Sequence, residues 1–477
     1  NSSPSFIARP TADFLNGVRS YLLNTYNYDP GTYQGYENLS NNDKLFARLD
    51  WNISKNHRFS VRYNQVESKS PSFASTSTSG SLIGTAGFAY ANQRSGTNRN
   101  NGLQFSNSNY YQAQNLYSAT AELNSSFGSR FTNTLRAAYS HQNDPRTSDS
   151  APFPMVDIMD GTATSANLGN VLTTFGYEAF TFGNLRDVKT YTYSDDLTAA
   201  FGKHNLTLGL QAEFSTTKNG FQRFGTGFYT FRSWDDFVNG ARPAQYTVTY
   251  PLTADGSQAF PSFKFAQYSA YLQDEFTVTD RLKLTAGLRV ERASYPGVDE
   301  IRTHPLVASL TFAEGQRVNT GALPKNRLMY SPRFGFNWDV KGDRSLQVRG
   351  GTGIFTGRVP FVWIVAQSGD AGLLQYLQTY NGANTPLFNP NIAPNLTTPA
   401  PAAGSSLPAG VSAMSPNLKF PQTWKSSLAV DARLPWGIVG TLEGIYGKDL
   451  YAAVAKNVNL VNPEIVVNGY PDNRPFF

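Results

Sequence analysis

An all-β chain of long antiparallel hairpins is the fold this sequence predicts, and three observations predict it. Apolar and polar residues alternate over runs of about 9–11 residues, longer than the about 5–6 usual for soluble strands. The runs come in pairs joined by short polar turns. Long segments rich in Ser, Thr, Asn, Gly and Pro separate each pair from the next.

The pairs follow in order. In the first, Leu45, Ala47, Leu49, Trp51 and Ile53 alternate with Phe46, Arg48, Asp50 and Asn52, and after Ser54-Lys55-Asn56 the pattern resumes with Phe59, Val61 and Tyr63. The second runs from Tyr117 to Phe127, turns at Gly128-Ser129 and returns through Leu135 and Tyr139. A third joins Tyr191–Phe201 to Leu206–Phe214 across Gly202-Lys203. The fourth, YSAYLQDEFTVTDRLKLTAGLRVE (Tyr268 to Glu291), turns at Thr279-Asp280-Arg281. In the fifth, Phe334–Val340 and Leu346–Ile354 flank Lys341-Gly342-Asp343, and in the sixth, Leu428–Leu434 and Ile438–Tyr446 flank Pro435-Trp436-Gly437. The hairpins therefore fall near 45–65, 117–141, 191–214, 268–291, 332–356 and 424–447, after a loop segment over 1–44. Twelve strands are counted this way, with Gly227–Phe231 and Tyr246–Tyr250 as further candidates. Thr11 and Ser233 are placed to cap short helices, with Phe14, Leu15, Val18 and Leu22 on one face of the first and Gly240 stopping the second.

Short turns at one end and long loops at the other predict a transmembrane antiparallel β-barrel of the outer-membrane type, with periplasmic turns and extracellular loops. Aromatic residues beside the short turns (Trp51, Phe59, Phe127, Phe131, Phe201, Phe276, Trp338 and Trp436) suit an interfacial girdle. Composition agrees. Of 477 residues 40% are hydrophobic, 14% aromatic and only 16% charged, against about 25% charged in soluble domains. No apolar run approaches the roughly 18 residues of a spanning helix; the longest candidate is Phe361–Ala366. There is no cysteine, so no disulfide framework or thiolate metal site is available. The net charge of +6 is dispersed without a Lys/Arg block, so no nucleic-acid partner is expected.

Charged strand residues share the polar register. Arg48, Arg62, Glu275, Lys283, Arg289, Glu291, Arg349 and Glu443 are the lumen-facing candidates, because a charge on the lipid face of a barrel costs up to roughly 2–4 kcal/mol at mid-depth. Asp195 and Asp274 break the rule by falling in the apolar register. Asp195-Asp196-Leu197-Thr198-Ala199 parallels Asp274-Glu275-Phe276-Thr277-Val278, so one design is expected for both, with the acid at the interface or a bulge shifting register. Adjacent strand residues point to opposite faces, so Asp274 and Glu275 do not converge as a catalytic pair. No HExxH, GxSxG or P-loop is present, the four histidines are scattered, and no enzyme activity, cofactor or metal is expected. Asn38–Asp43 and Asp157–Asp160 have the oxygen-rich composition of calcium loops but read better as solvated loops. Tyr33, Tyr36, Tyr110 and Tyr111 could stack on a ligand.

KLFARLDWNISKNHRFSVRYN (Lys44 to Asn64), the fourth hairpin, SPRFGFNWDV (Ser331 to Val340), RGGTGIFTGRVPFVWI (Arg349 to Ile364) and PQTWKSSLAVDARLPWGIVGTLEGIYGKD (Pro421 to Asp449) resemble the barrel of Oar-like TonB-dependent outer-membrane transporters of Bacteroidota. NTYNYDPGTYQGYE (Asn24 to Glu37) resembles the loop leading into the first of these strands. The resemblance implies a 22-stranded barrel occluded by an N-terminal plug, a TonB box, and often a preceding carboxypeptidase-regulatory-like β-domain. None of these N-terminal parts is recognisable here. The start Asn-Ser-Ser-Pro reads as processed or truncated, and Pro471 and Pro475 interrupt any strand ending at Phe476-Phe477. A barrel fragment in a Gram-negative outer membrane is therefore expected, with lipid, the TonB complex and an unidentified glycan, peptide or protein ligand as partners. The expected function is energised uptake, with a passive porin or a barrel-anchored adhesin as the alternative, and a soluble all-β carbohydrate-binding protein or enzyme last.

Overall fold

The structure is a computed structural model, which describes residues 9–75, 102–162, 169–298, 300–392, 399–408, 410–460, 465–466 and 475–476. Helix α1 (Ala12–Tyr26) precedes the first hairpin, β1 (Asn41–Asn52) with β2 (His57–Ser72). Short strands β3 (Leu103–Gln104) and β4 (Tyr110–Ala113) lead to β5 (Asn115–Phe127) and β6 (Phe131–Thr147). Next come β7 (Met155–Met159), β8 (Val171–Phe175), β9 (Leu185–Phe201) and β10 (His204–Gly220). After β11 (Phe228–Phe231), α2 (Trp234–Val238) and β12 (Gln245–Pro251) stand β13 (Ser262–Thr279) and β14 (Leu282–Gly297). Helix α3 (Pro305–Ser309), β15 (Leu328–Asp339), β16 (Leu346–Thr356), α4 (Phe361–Gly369), β17 (Gln375–Asn381), β18 (Gln422–Arg433) and β19 (Val439–Tyr451) complete the body. Two-residue strands at Ile465–Val466 and Pro475–Phe476 pair only with each other. The opening Asn-Ser-Ser-Pro, Pro471 and Phe477 lie outside the described residues.

Twelve long strands form one antiparallel wall in the order β1-β2-β5-β6-β9-β10-β13-β14-β15-β16-β18-β19, with β4 added at its outer end. Each neighbour in sequence is a neighbour in space, as period-2 hairpins with tight turns dictate. The first strand begins at Asn41, ahead of the boundary expected at 45.

Register settles the faces. Leu49, Val61, Ala121, Leu135, Leu210, Leu272, Leu288, Phe334 and Leu428 share one face, and large apolar side chains on it are exposed: Leu210 is 54% exposed and Leu272 55%. An apolar surface running over the whole wall requires a lipid solvent. Two aromatic belts bound it. Phe131, Phe201, Phe276 and Trp338 form the inner belt, by the short turns; Tyr139, Tyr193, Tyr268 and Tyr330 form an outer belt that the sequence reading did not single out. In β6, β9, β13 and β15 the two belt residues are eight apart. That spans about 26 Å of strand, or about 20 Å of height at a tilt of about 40°. Both belts step along the pairing ladder in the same sense from β6 to β15: Tyr139 pairs Tyr191, while Tyr268 pairs Ala212 and Tyr330 pairs Val290. Tilted strands produce that stagger.

The long connections are not loops alone. Strands β17-β12-β11-β7-β8-β3 make a second, six-stranded sheet with parallel β11/β7 and β3/β8 pairs. The extra strand candidates at Gly227–Phe231 and Tyr246–Tyr250 belong here and not to the wall. The whole run Met155–Met159 is buried, as are Phe228–Phe231 and Gln245–Tyr250. Such runs mark strands covered on both faces, unlike the alternating wall. Leu15, Val18 and Leu22 of α1 join this core with Val156, Ile158, Phe175, Phe231 and Val248. Thr11 caps α1 through its Oγ1, which accepts from Phe14 N at 3.2 Å, and Ser233 caps α2, which Gly240 follows at φ +66°. Each buried large side chain contributes about 1.5–3 kcal/mol, so the connections hold themselves in shape.

Candidate functional site

One of these connections, the segment carrying α4, folds in over the polar face of the wall. Along β10 the polar-face residues Glu213, Ser215 and Thr217 are buried, while Phe214, Thr216 and Lys218 between them are exposed. On β13 Phe263 and Phe265 of the same face are buried against Val359, Ile364 and Val365 of the segment carrying α4. Glu291 and Ser331 are likewise covered.

Below this cover the polar face carries a series of hydrogen-bonded charge clusters. Arg48 donates to Asp50 at 2.7 and 2.9 Å, and Arg58 donates to the same carboxylate at 2.9 Å. Arg136 donates to Glu122 at 2.9 and 2.7 Å. Arg289 donates to Gln211 at 2.9 Å, Ser269 at 2.7 Å and Glu291 at 3.0 Å. Arg358, just beyond β16, grips Glu213 with two bonds of 2.6 Å and so ties the cap segment to the wall. Tyr271 donates to Asp196, and the Arg289 guanidinium lies 5.6 Å from the Tyr271 ring centre. Lys283 meets Glu275 at 2.8 Å, and Arg349 meets Asp431 at 2.9 Å. A groove of about 480 Å³ runs along this face between Arg136, Asp196, Gln211, Tyr271, Arg289 and Arg333. A second space of about 210 Å³ continues it beneath Arg358. Fixed arginines, amides and a phenol suit polar or anionic ligands held by several hydrogen bonds.

All eight charged residues singled out from the sequence stand on this face by register. Arg48, Glu275, Lys283, Arg289, Glu291 and Arg349 join ion pairs; Arg62 and Glu443 form none with a described residue. Arg136, Asp196, Tyr271, Arg333 and Arg358 also line the groove or its upper space. Arg136 and Arg333 were legible from parity; Arg358 lies past its strand, where parity says nothing.

The two acids in the apolar register are in register, without a bulge at either position. The shared design expected of them does not hold. Asp274 lies two residues inside the inner belt at Phe276, where His204 Nδ1 is 2.7 Å from its carboxylate and the imidazole stacks on Phe276 at 4.4 Å. Asp195 lies two residues inside the outer belt at Tyr193 and accepts from Asn133 at 2.7 Å. Each acid has a polar partner beside an interface, where a lipid-facing acid costs little.

Other candidates are taken up by the protein itself. Tyr33 packs edge-on against Phe105, Tyr36 accepts from Asn109, Tyr110 lies under Arg146, and Tyr111 lies under Lys69 and bonds Asp149. Asp157 is buried and accepts from Thr174 at 2.6 Å, and Asp160 accepts from Thr162 and Asn170. His304 is buried and caps α3. Gly351 and Gly353 sit in β16 under close cross-strand contacts, with no phosphate cradle.

A wall apolar on one face, charged on the other, and belted by aromatic rings defines an outer-membrane β-barrel. The family model described as outer membrane beta barrel domain matches residues 7–476, and the chain belongs to that family. It therefore lies in the outer membrane of a Gram-negative bacterium. Its fold is similar to that of the outer membrane transporter YddB from Escherichia coli, at 12% identity and a TM-score of 0.50, over 85% of this chain and 40% of that one. The copper transporter OprC matches at 9% identity and 0.43, over 86% and 45%. The siderophore receptor PirA from Acinetobacter baumannii matches at 12% and 0.41, over 88% and 44%. The chain spans less than half the length of these structures. No curated protein matches its sequence.

Proposed function

We propose that this chain supplies wall and outer cap to an Oar-like TonB-dependent receptor that imports a polar ligand. The observation that carries this reading is the cap. The segment carrying α4 folds inward over the polar face and is tied there by Arg358–Glu213, so that part of the mouth is structured and covered. A diffusion pore needs an open lumen; a receptor needs a shaped mouth that recognises its ligand before releasing it inward. The groove along Arg136, Tyr271, Arg289 and Arg333 then offers successive hydrogen-bonding positions, each weak enough to leave, as conduction requires. On this reading the polar face is the lumen, and Arg48, Arg62, Glu275, Lys283, Arg289, Glu291, Arg349 and Glu443 line it. A plug and a TonB box elsewhere in the full protein supply the gate, and the ligand is a glycan, peptide or protein fragment.

The test is uptake by cells expressing the full-length gene, with fluorescent glycan and peptide pools, in strains with and without TonB. Uptake that requires TonB and the proton gradient supports the proposal. Flux that persists undiminished without TonB sinks it in favour of a passive pore, and cell adhesion without uptake would favour a surface anchor.

A further inference from the structure

The lipid face carries an asymmetry that neither transport nor folding uses. At or beyond the outer aromatic belt, four basic residues point outward from four adjacent strands: Lys189 on β9, Lys218 on β10, Lys264 on β13 and, level with the belt, Arg292 on β14. Register brings them together. Thr216 pairs with both Lys189 and Lys264, Lys218 stands two residues beyond Thr216 on the same face, and Arg292 pairs with Tyr268. All four are exposed, and none forms an ion pair with a described residue. Lys218 also places its ammonium 4.8 Å from the Phe260 ring centre. The outward acid Asp187 stands opposite Lys218 in the ladder and also bonds His141 Nε2 and Asn143 Nδ2, both at 2.7 Å. Asp187 offsets one of these charges, and the arc keeps a net positive charge that attracts anions at the headgroup level.

Directly below them the apolar face is indented. A groove of about 630 Å³ runs between Tyr193, Ala212, Tyr268, Ala270 and Arg292, with Asp195 on its margin held by Asn133. Its cause is in the sequence: Ala212 and Ala270 stand where the flanking positions of their strands hold Leu210, Phe214, Tyr268 and Leu272. The indentation faces lipid, so an acyl chain fills it, and Arg292 stands at its upper end.

From this pairing of a cationic arc with an acyl-sized groove, we propose that β9, β10, β13 and β14 hold one phosphorylated saccharolipid of the outer leaflet. Its phosphates meet Lys189, Lys218, Lys264 and Arg292, and one acyl chain lies in the groove. The site depends on the outer-membrane location and not on the transport reading, so either stands if the other fails.

Binding of bis-phosphorylated lipid A and of its dephosphorylated form to the purified full-length protein in detergent micelles tests this. Wild type binds the phosphorylated form at least about tenfold more tightly, and K189A/K218A/K264A/R292A loses that preference. K218A/K264A loses part of it and serves if the fourfold variant fails to fold, as judged by heat-modifiable gel migration. K448A, an outward lysine on β19 away from the arc, leaves binding unchanged. Equal affinity of wild type for both lipids, or undiminished preference in the folded fourfold or double variant, overturns the proposal.

Discussion

At the residue scale, the informative positions are those that break a rule and show why. Asp274 faces lipid but has His204 Nδ1 2.7 Å from its carboxylate beside the inner belt. Removing the imidazole strands the acid, so His204→Ala is expected to destabilise the wall by about 1 kcal/mol. The double variant H204A/D274A recovers most of that loss, as measured by urea unfolding from lipid vesicles. No recovery would mean that the stack on Phe276 matters and the pair does not. Arg358 is the complementary case: it satisfies Glu213, whose side chain is only 10% exposed. Arg358→Ala leaves that carboxylate covered without its main partner, costing about 2 kcal/mol. The loss should appear locally, as faster hydrogen exchange in Phe361–Gly369 with the wall strands unchanged.

At the element scale, strands that look alike in sequence serve different sheets. Alternation made the twelve wall strands legible because each has one wet and one lipid face. The cap strands are short, and their burial does not show as alternation: Met155–Met159 is buried throughout with Asp157 at its centre, and so short a run does not separate a buried strand from a helix. Gly209 shows how elements interlock on the polar face. A Cβ there would stand 2.1 Å from the Tyr271 ring, so only glycine lets that ring cross β10 to reach Asp196. Gly209→Ala is expected to break the Tyr271–Asp196 bond and cost about 1–3 kcal/mol, with lowered thermal stability as the readout. In the cap, burial pushes the Asp370 carboxyl above its ordinary value despite Arg223 at 2.6 Å. A raised carboxyl binds its proton more readily in the folded state, so its contribution is fully present below the ordinary value of 3.8 and is lost as pH rises through the folded value. The wild-type cap should therefore lose stability relative to D370N as pH rises from 3.8 through that window, followed by unfolding at a series of pH values. An identical pH profile in both proteins would refute this.

At the scale of the whole molecule, two belts eight residues apart set how the wall sits in the bilayer. Trp338 belongs to the inner belt, at the headgroup level. With Trp338 as the sole tryptophan, a quencher attached near the lipid headgroup should quench it more than one at the acyl terminus. The reverse order would displace the membrane plane. The same geometry separates three environments: lipid on the apolar face, the charged groove on the other, and the packed cap above both. Recognition, passage and lipid contact can then each change without disturbing the others.

Hairpin order, the two faces, the inner belt and most charged groove residues were determined by the sequence itself, because strand parity is local and its period is two. Tertiary structure alone decided the cap, the Arg358–Glu213 tie, the partners of Asp195 and Asp274, and the gathering of Lys189, Lys218, Lys264 and Arg292. Each joins residues from separate elements: Arg358 lies 145 positions from Glu213. Local periodicity carries no information about which distant strand comes alongside; register, strand tilt and the inward fold of the connections supply it.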